Sequence, residues 1–380
     1  MFFVHPQIEL KKQNIKPVFL NFLKSPNLNT LREKLSFYFP RKKIIFTDMG
    51  RSAFKIIIEK LNLKNSQILF PAYICDIFYP ILKRYKIQPI FLDIDLRTFN
   101  IREDQIRKKI TPQTKAIFVC HTYGLPVDIQ KIKEITGNQL SIIEDCAQSF
   151  GAKYKNIFVG NFGEAAFFSL YKQSPTFRGG LLVCPKDWEV KLSKTNFDFR
   201  DFISFLNSFS FFAFLFKMFG QDIAPKMIRK EKKSEPAEIN KVSLNFFSHF
   251  LGNLANSLEK RINLALFFQE ELKKLGFDVQ ESENNVFCYL STLIPKSLEI
   301  KRDKFVKELR KYQIFSTRIW HTPIILNPEV QKEYQIRLKE FPNTIEAAKR
   351  IINFPLQNYY EKKDIEIMIK GIKRVLSDLK

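Results

Sequence analysis

The chain has 380 residues, 45% hydrophobic and 27% charged, which is the range of a soluble globular protein and predicts one large domain plus a smaller one. Five scattered cysteines (Cys75, Cys120, Cys146, Cys184, Cys288) with no C-x-x-C pair argue against a disulfide framework or zinc site and fit a reducing compartment, and four dispersed histidines leave no metal cluster. The formal charge of +23 raises nucleic acid, an anionic membrane or an anionic substrate as partners, but the basic residues run along the whole chain without a nucleic-acid signature, so a lysine-rich solvated surface is expected and nucleic acid is not.

The N-terminus, MFFVHPQIELKKQ, has neither a basic segment before an apolar run nor a small-residue cleavage site, which predicts no secretory signal and a cytoplasmic protein. Prolines 17, 26 and 40 break residues 1–40 into an arm. From Lys42 the pattern alternates between strand and helix. KKIIFTD predicts a strand, Met49-Gly50-Arg51-Ser52 a turn, and Phe54, Ile57, Ile58 and Leu61 the apolar face of a helix. Strands follow at Gln67–Phe70, Pro89–Leu92, Lys115–Val119 and Leu140–Glu144, with helices over Asp76–Tyr85, Arg102–Ile110 and Ile129–Thr136 between them. This alternation predicts an α/β fold with a mostly parallel sheet covered on both faces. Ligands of such sheets sit at the carboxyl ends of the strands, where Asp145 and His121 fall.

Residues 142–180, IIEDCAQSFGAKYKNIFVGNFGEAAFFSLYKQSPTFRGG, carry the chemistry. One apolar strand ends in Asp145, a second, Ala165–Leu170, leads to Lys172, and Gly179–Gly180 opens a third, Leu181–Cys184. An acid and a lysine at adjacent strand ends suit pyridoxal 5'-phosphate (PLP). The amine condenses with the cofactor aldehyde, and the carboxylate keeps the pyridine nitrogen protonated.

Residues 197–220 are rich in phenylalanine, interrupted by Asp201, Asn207 and Lys217. Three readings stand: a helical insertion packed on the core or between subunits, a helix in a membrane surface giving peripheral contact, and a membrane span. Beyond it, Leu244–Leu275 is a long helix broken near Gly252. Val286–Leu290 and Ile314–Ile319 are strands, and Lys304–Tyr312, Thr344–Ile352 and Lys363–Leu379 helices. The expected division is an arm (1–40), a large α/β domain (41–237) and a small α+β domain (238–380).

Five blocks in order resemble the DegT/DnrJ/EryC1/StrS family of PLP-dependent sugar aminotransferases. MGRSAFKIII is similar to its "SG-x-x-A-L" helix start, and ILFPAYICDIFYPILKRYKIQPIFLDIDLRTFNI to its strand–Pro–aromatic segment and "P-x-F-x-D-x-D" stretch. TPQTKAIFVCHTYGLPVDI resembles its "T-K-A-I … H-x-Y-G" block, IIEDCAQSFGAKY its "I-E-D-A-A-Q-x-x-G-A", and FPNTIEAAKRIINFPL its C-terminal signature. The resemblance implies the aspartate aminotransferase fold type (PLP transferase fold type I), with a seven-stranded type of sheet in the large domain. It implies PLP as cofactor and a homodimer with shared sites. By the same token Asp145 would meet the pyridine nitrogen, Gln148 the phenolic oxygen, and Tyr73 the ring face. Gly50, Arg51, Ser52 and Ser169 would hold the phosphate, joined by Asn240 reaching into the neighbouring subunit, and Lys172 would be the catalytic lysine. His121, Tyr123 and His321 are candidates for the substrate pocket, with a structural role for His121 left open.

Two features depart from the common family pattern. FSLYK places Lys172 three residues after Ser169 instead of five, as in a divergent branch with a proline-containing run before Gly-Gly. The Phe-rich segment falls where the family carries a loop that helps bind sugar nucleotide. The resemblance implies amino transfer from an amino acid, usually glutamate, to a keto-sugar on a nucleoside diphosphate, for surface polysaccharide or glycosylated metabolites. Two alternatives stand beside it. One is a PLP-dependent sugar dehydratase, a branch in which histidine replaces the lysine. The other is a non-catalytic relative acting as a membrane-surface scaffold or regulator.

Overall fold

The computed structural model describes residues 1–7, 26–137, 139–174, 176, 178–195, 199–219 and 235–379. Residues 8–25 of the expected arm lie outside them. The centre is a seven-stranded sheet built from β2 (Lys43–Thr47), β3 (Gln67–Pro71), β4 (Gln88–Leu92), β5 (Thr114–Cys120), β6 (Ser141–Asp145), β9 (Ala165–Ser169) and β10 (Gly180–Cys184), in the spatial order β2-β10-β9-β6-β5-β3-β4. Only β10 runs antiparallel to its neighbours.

The strands are near-continuous apolar runs because both faces are covered. Phe70, Phe118 and Phe167 point to one side and pack with Phe54, Ile57 and Ile58 of helix α2 (Gly50–Lys60). Leu69, Ile117 and Val119, one residue along the same strands, point to the other and meet Ile129 and Ile132 of α5 (Ile129–Thr136). The Gly-Gly turn is dictated by sterics. A Cβ on Gly180 would lie 2.3 Å from the Met49 carbonyl carbon, and Gly179 sits at φ +143. β10 therefore lies directly against the start of α2, bridged through Met49 and Gly179.

A second unit packs α9 (Leu254–Lys274) and α13 (Lys362–Leu379) on a three-stranded sheet of β11 (Asp278–Val279), β12 (Leu290–Leu293) and β14 (Ile351–Phe354). The strand expected at Val286–Leu290 begins at its last residue. The helix expected over Thr344–Ile352 ends at Arg350, where the chain turns into β14 and pairs with β12. The first residues are anchored in this unit. Phe2 and Phe3 form β1, parallel to β13 (Ile314–Phe315), and the Gln357 side-chain amide donates to the carbonyls of Phe3 (2.7 Å) and His5 (2.8 Å).

The Phe-rich segment folds as two short helices, α6 (Phe199–Asn207) and α7 (Ser210–Phe219). Among the described residues no helix is long and apolar enough to cross a membrane. Phe205 and Phe209 turn inward, while Phe199 (66% exposed), Phe202, Phe211 and Phe212 face outward.

Candidate active site

Asp145, the last residue of β6, is buried. Its carboxylate accepts the Ala147 backbone N–H (2.9 Å) and the thiol of Cys120, its register partner on β5. Burial pushes its pKa up, and the positive charge of Lys172 pulls it back. Lys172 closes the short 3-10 turn after β9. Burial lowers its affinity for a proton, but Tyr171 and Asp145 outweigh that and hold its amine above the ordinary lysine value. The acid and the lysine that the sequence set apart thus act on each other across the ends of neighbouring strands.

The lysine turn is held by its own domain. The Gln173 amide brackets the Phe150 backbone, accepting its N–H (2.7 Å) and donating to its carbonyl (3.3 Å), and Ser174 Oγ donates to the Leu170 carbonyl (2.7 Å). From the second unit, Cys288 Sγ donates to the Lys172 carbonyl at 3.6 Å, its thiol kept protonated by burial that pushes its pKa up to about 12.

Gln148 is buried. Its oxygen accepts the Tyr123 N–H (2.7 Å), while its Nε2 is buried with no partner. A buried donor left open three residues from Asp145 fits an acceptor oxygen of a bound ring. Helix α2 starts at Gly50-Arg51-Ser52 with no side chain capping it, so its start suits an anionic group. A Cβ on Gly50 would lie 3.0 Å from the Phe168 carbonyl oxygen, so any larger residue would need that neighbour to give by a few tenths of an ångström. Ser52 and Ser169 are buried beside these strand ends. Acid, lysine, open amide donor and anion-ready helix start together fit PLP.

Other expected site residues are placed differently. Tyr73 has no exposed surface. Its hydroxyl shares a 3.0 Å hydrogen bond with that of Tyr123, and its ring lies against Phe99 and Trp320 in an aromatic cluster. Tyr123 is fixed in that cluster at φ 59 and donates from its hydroxyl to the Ile319 carbonyl (2.8 Å). His121 is structural: it is fully buried, Nδ1 accepts the Val127 N–H (3.1 Å), and Nε2 therefore carries the proton given to Glu144 (3.2 Å). His321 is half-buried and bonded through Nδ1 to the Arg318 carbonyl (2.8 Å), its pKa lowered mainly by burial. Asn240 has both ends of its side chain engaged within this chain. Its oxygen caps α8 (Lys241–Gly252) at the Ser243 N–H (2.8 Å), and its nitrogen donates to Asp201 (3.2 Å).

Three arrangements escaped the sequence reading. Glu144 is fully buried and accepts the N–H groups of Gly160, Phe162 and Gly163 at 2.7–2.8 Å as well as His121, so the loop after β8 (Ile157–Phe158) is tied to the strand beside Asp145. His121, Glu144 and Cys146 lie within 4.8 Å of one another, but these hydrogen bonds already engage the imidazole and the carboxylate. Asp201 of the Phe-rich helix pairs with Arg178, between Lys172 and Gly179, through two contacts of 2.9 Å. The third is Arg261 of α9, 3% exposed with its Nη1 buried and without a hydrogen-bond partner. The one usable signal was the pair Glu144–Asp145, since adjacent strand residues face opposite sides of a sheet buried on both.

The profile described as the DegT/DnrJ/EryC1/StrS aminotransferase family matches residues 20–373. A dTDP-4-amino-4,6-dideoxy-D-glucose transaminase of Shigella dysenteriae is 25% identical over 97% of this chain and 95% of its own length. Among solved structures, the putative sugar aminotransferase Spr1654 of Streptococcus pneumoniae in its PMP form superimposes with a TM-score of 0.76 at 16% identity, covering 99% of each chain. The Escherichia coli GDP-4-keto-6-deoxy-D-mannose-3-dehydratase with bound hydrated PLP gives 0.74 at 18% identity, covering 98% of this chain and all of the other.

Proposed function

Because this chain belongs to the DegT/DnrJ/EryC1/StrS aminotransferase family and is a PLP-dependent aminotransferase, we propose that it moves an amino group from an amino acid, glutamate, to a keto-sugar carried on a nucleoside diphosphate. The observation that carries the reading is the buried Asp145 facing Lys172 across adjacent strand ends. Similarity to a nucleotide-sugar transaminase along nearly the whole chain supports the acceptor class.

Lys172 would hold the cofactor through Nζ, Asp145 would face its ring nitrogen, Gln148 Nε2 its phenolic oxygen, and the start of α2 with Ser169 its phosphate. When bound, PLP supplies a ring that takes up the electron pair released when the substrate carbon loses its proton. Lys172 Nζ, once free, would be the base that takes up and returns that proton. The Asp145 carboxylate would favour a proton on the ring nitrogen, and its burial would strengthen that attraction. Glu144 and His121 fix the strand ends that aim both groups.

The presence of Lys172 favours amino transfer over the dehydratase reading, whose branch has histidine there. The exposed rings of α6 and α7 support contact with a second copy of the chain, and five cysteines scattered without a C-x-x-C pair support a cytoplasmic site of action. Products of this chemistry would feed surface polysaccharides or glycosylated metabolites. The test is label transfer: with PLP and 15N-glutamate, a panel of nucleotide-linked keto-sugars should yield a 15N-amino sugar, and free keto-sugars should not. Transfer to free sugars alone, or a loss of water without nitrogen gain, would contradict the reading.

A further inference from the structure

Chain ends fray unless something ties them down, and the first residues here are tied closely. The Phe3 N–H donates to the Tyr360 hydroxyl (3.0 Å), the Gln357 amide bonds the carbonyls of Phe3 and His5, and the Phe3 ring stacks on Phe315 with centroids 4.8 Å apart. Phe2, Phe3, Val4 and Gln7 are buried and Pro6 is half-buried, which leaves His5 as the exposed side chain of residues 2–7. The segment also runs toward the lysine turn. Val4 packs in the cluster of Tyr73, Tyr123 and Tyr289, and the His5 ring meets Tyr289 edge-on at 6.1 Å. Tyr289 follows Cys288, whose thiol donates to the Lys172 carbonyl. Tyr171, 42% exposed, lies within electrostatic reach of both Lys172 and Tyr289. Two exposed polar side chains, His5 and Tyr171, are thus gathered about one buried tyrosine beside the lysine turn. The fold does not ask for an imidazole at this place: it holds residue 5 through its carbonyl, and an apolar ring would meet Tyr289 as well.

We propose that His5 binds the diphosphate of the acceptor, an inference that rests on the proposed use of a nucleotide-linked keto-sugar. An imidazole N–H donates to a phosphate oxygen, and the anionic acceptor makes that bond a strong one. The anchored backbone and the Tyr289 contact hold the ring in place beforehand, so little freedom is lost when the diphosphate arrives. With the diphosphate at His5, the keto-sugar reaches past Tyr171 toward Lys172 and the nucleoside stays outside. A free keto-sugar forgoes this contact, which gives the N-terminal segment a part in choosing the acceptor.

The test uses the PLP-loaded full-length protein with dTDP, UDP and GDP as probes, read by calorimetry. Wild type should bind at least one of them saturably. His5→Ala should keep the wild-type thermal midpoint, because the side chain is exposed, and should bind that nucleotide about tenfold more weakly. His5→Arg, which keeps a donor for the phosphate, should bind it about as tightly as wild type. A second readout needs no variant: modification of histidine by diethyl pyrocarbonate, followed by mass spectrometry. Bound nucleotide should slow it at His5 and leave it unchanged at His249, which is exposed on α8. Equal affinity in wild type and His5→Ala overturns the inference, as does an unchanged modification rate at His5 with nucleotide bound, or a wild type that binds none of the three. Nucleotide binding needs no amino transfer, so a protein inactive in the label experiment still answers this question. A protein active there whose His5→Ala variant binds nucleotide normally loses this inference alone.

Discussion

At the scale of single residues, the site depends on two adjacent acids doing different work. Asp145 faces the lysine, whereas Glu144 is turned into the structure and takes four hydrogen bonds. Burial by itself would raise the Glu144 pKa, but His121 and the backbone N–H groups overcome it and hold the carboxyl below its ordinary 4.5. A carboxyl depressed in the folded state adds stability above its unfolded value, and that stability is lost as pH falls through the folded pKa. The thermal midpoint of wild type should therefore drop on acidification below about pH 4.5. Glu144→Gln sets a side-chain amide against backbone N–H donors, so it should cost about 1–3 kcal/mol at neutral pH and flatten that acid branch. An unchanged acid branch in the variant would mean the latch is not made as described.

At the scale of elements, the first Phe-rich helix is joined to the segment between Lys172 and Gly179 by a buried ion pair. Asp201 meets Arg178 through two 2.9 Å contacts and also accepts from Asn240, which caps the next helix. Asp201→Ala leaves a mostly buried guanidinium without this partner, which should cost about 3 kcal/mol. Hydrogen exchange should then quicken in residues 199–207 and in the segment leading to Gly179, while β5 and β6 keep their protection. Unchanged exchange in both segments would show that the helices are held by their rings alone. The core strands of the sheet were legible in the sequence because each is an apolar run between turn signals. β1, β11 and β14 were not, since two to four residues carry too little period and are selected by partners far away in the chain. The Arg178–Asp201 pair was hidden likewise: nothing local marks an aspartate in a Phe-rich helix as the partner of an arginine 23 residues earlier.

At the scale of the whole molecule, the order β2-β10-β9-β6-β5-β3-β4 sets the ends of β5, β6 and β9 side by side, and a single antiparallel strand brings Gly179–Gly180 back against the start of α2. Asp145 and Lys172 were legible because strand ends in such a sheet are where ligands gather. Gln148 was named from resemblance, and its amide nitrogen is buried with no partner. The sequence left the roles of Tyr73 and His121 undecided, because a residue type near a strand end does not reveal which way its ring turns. Arg261 was invisible, since only the folded chain brings its helix behind the lysine turn. The most direct test of the central claim is the absorption spectrum of the purified protein with added PLP, before and after excess glutamate, beside Lys172→Ala. The account predicts a visible band that glutamate bleaches and that the variant does not form. A folded wild type that gives no band, or a band equally strong in Lys172→Ala, would contradict it.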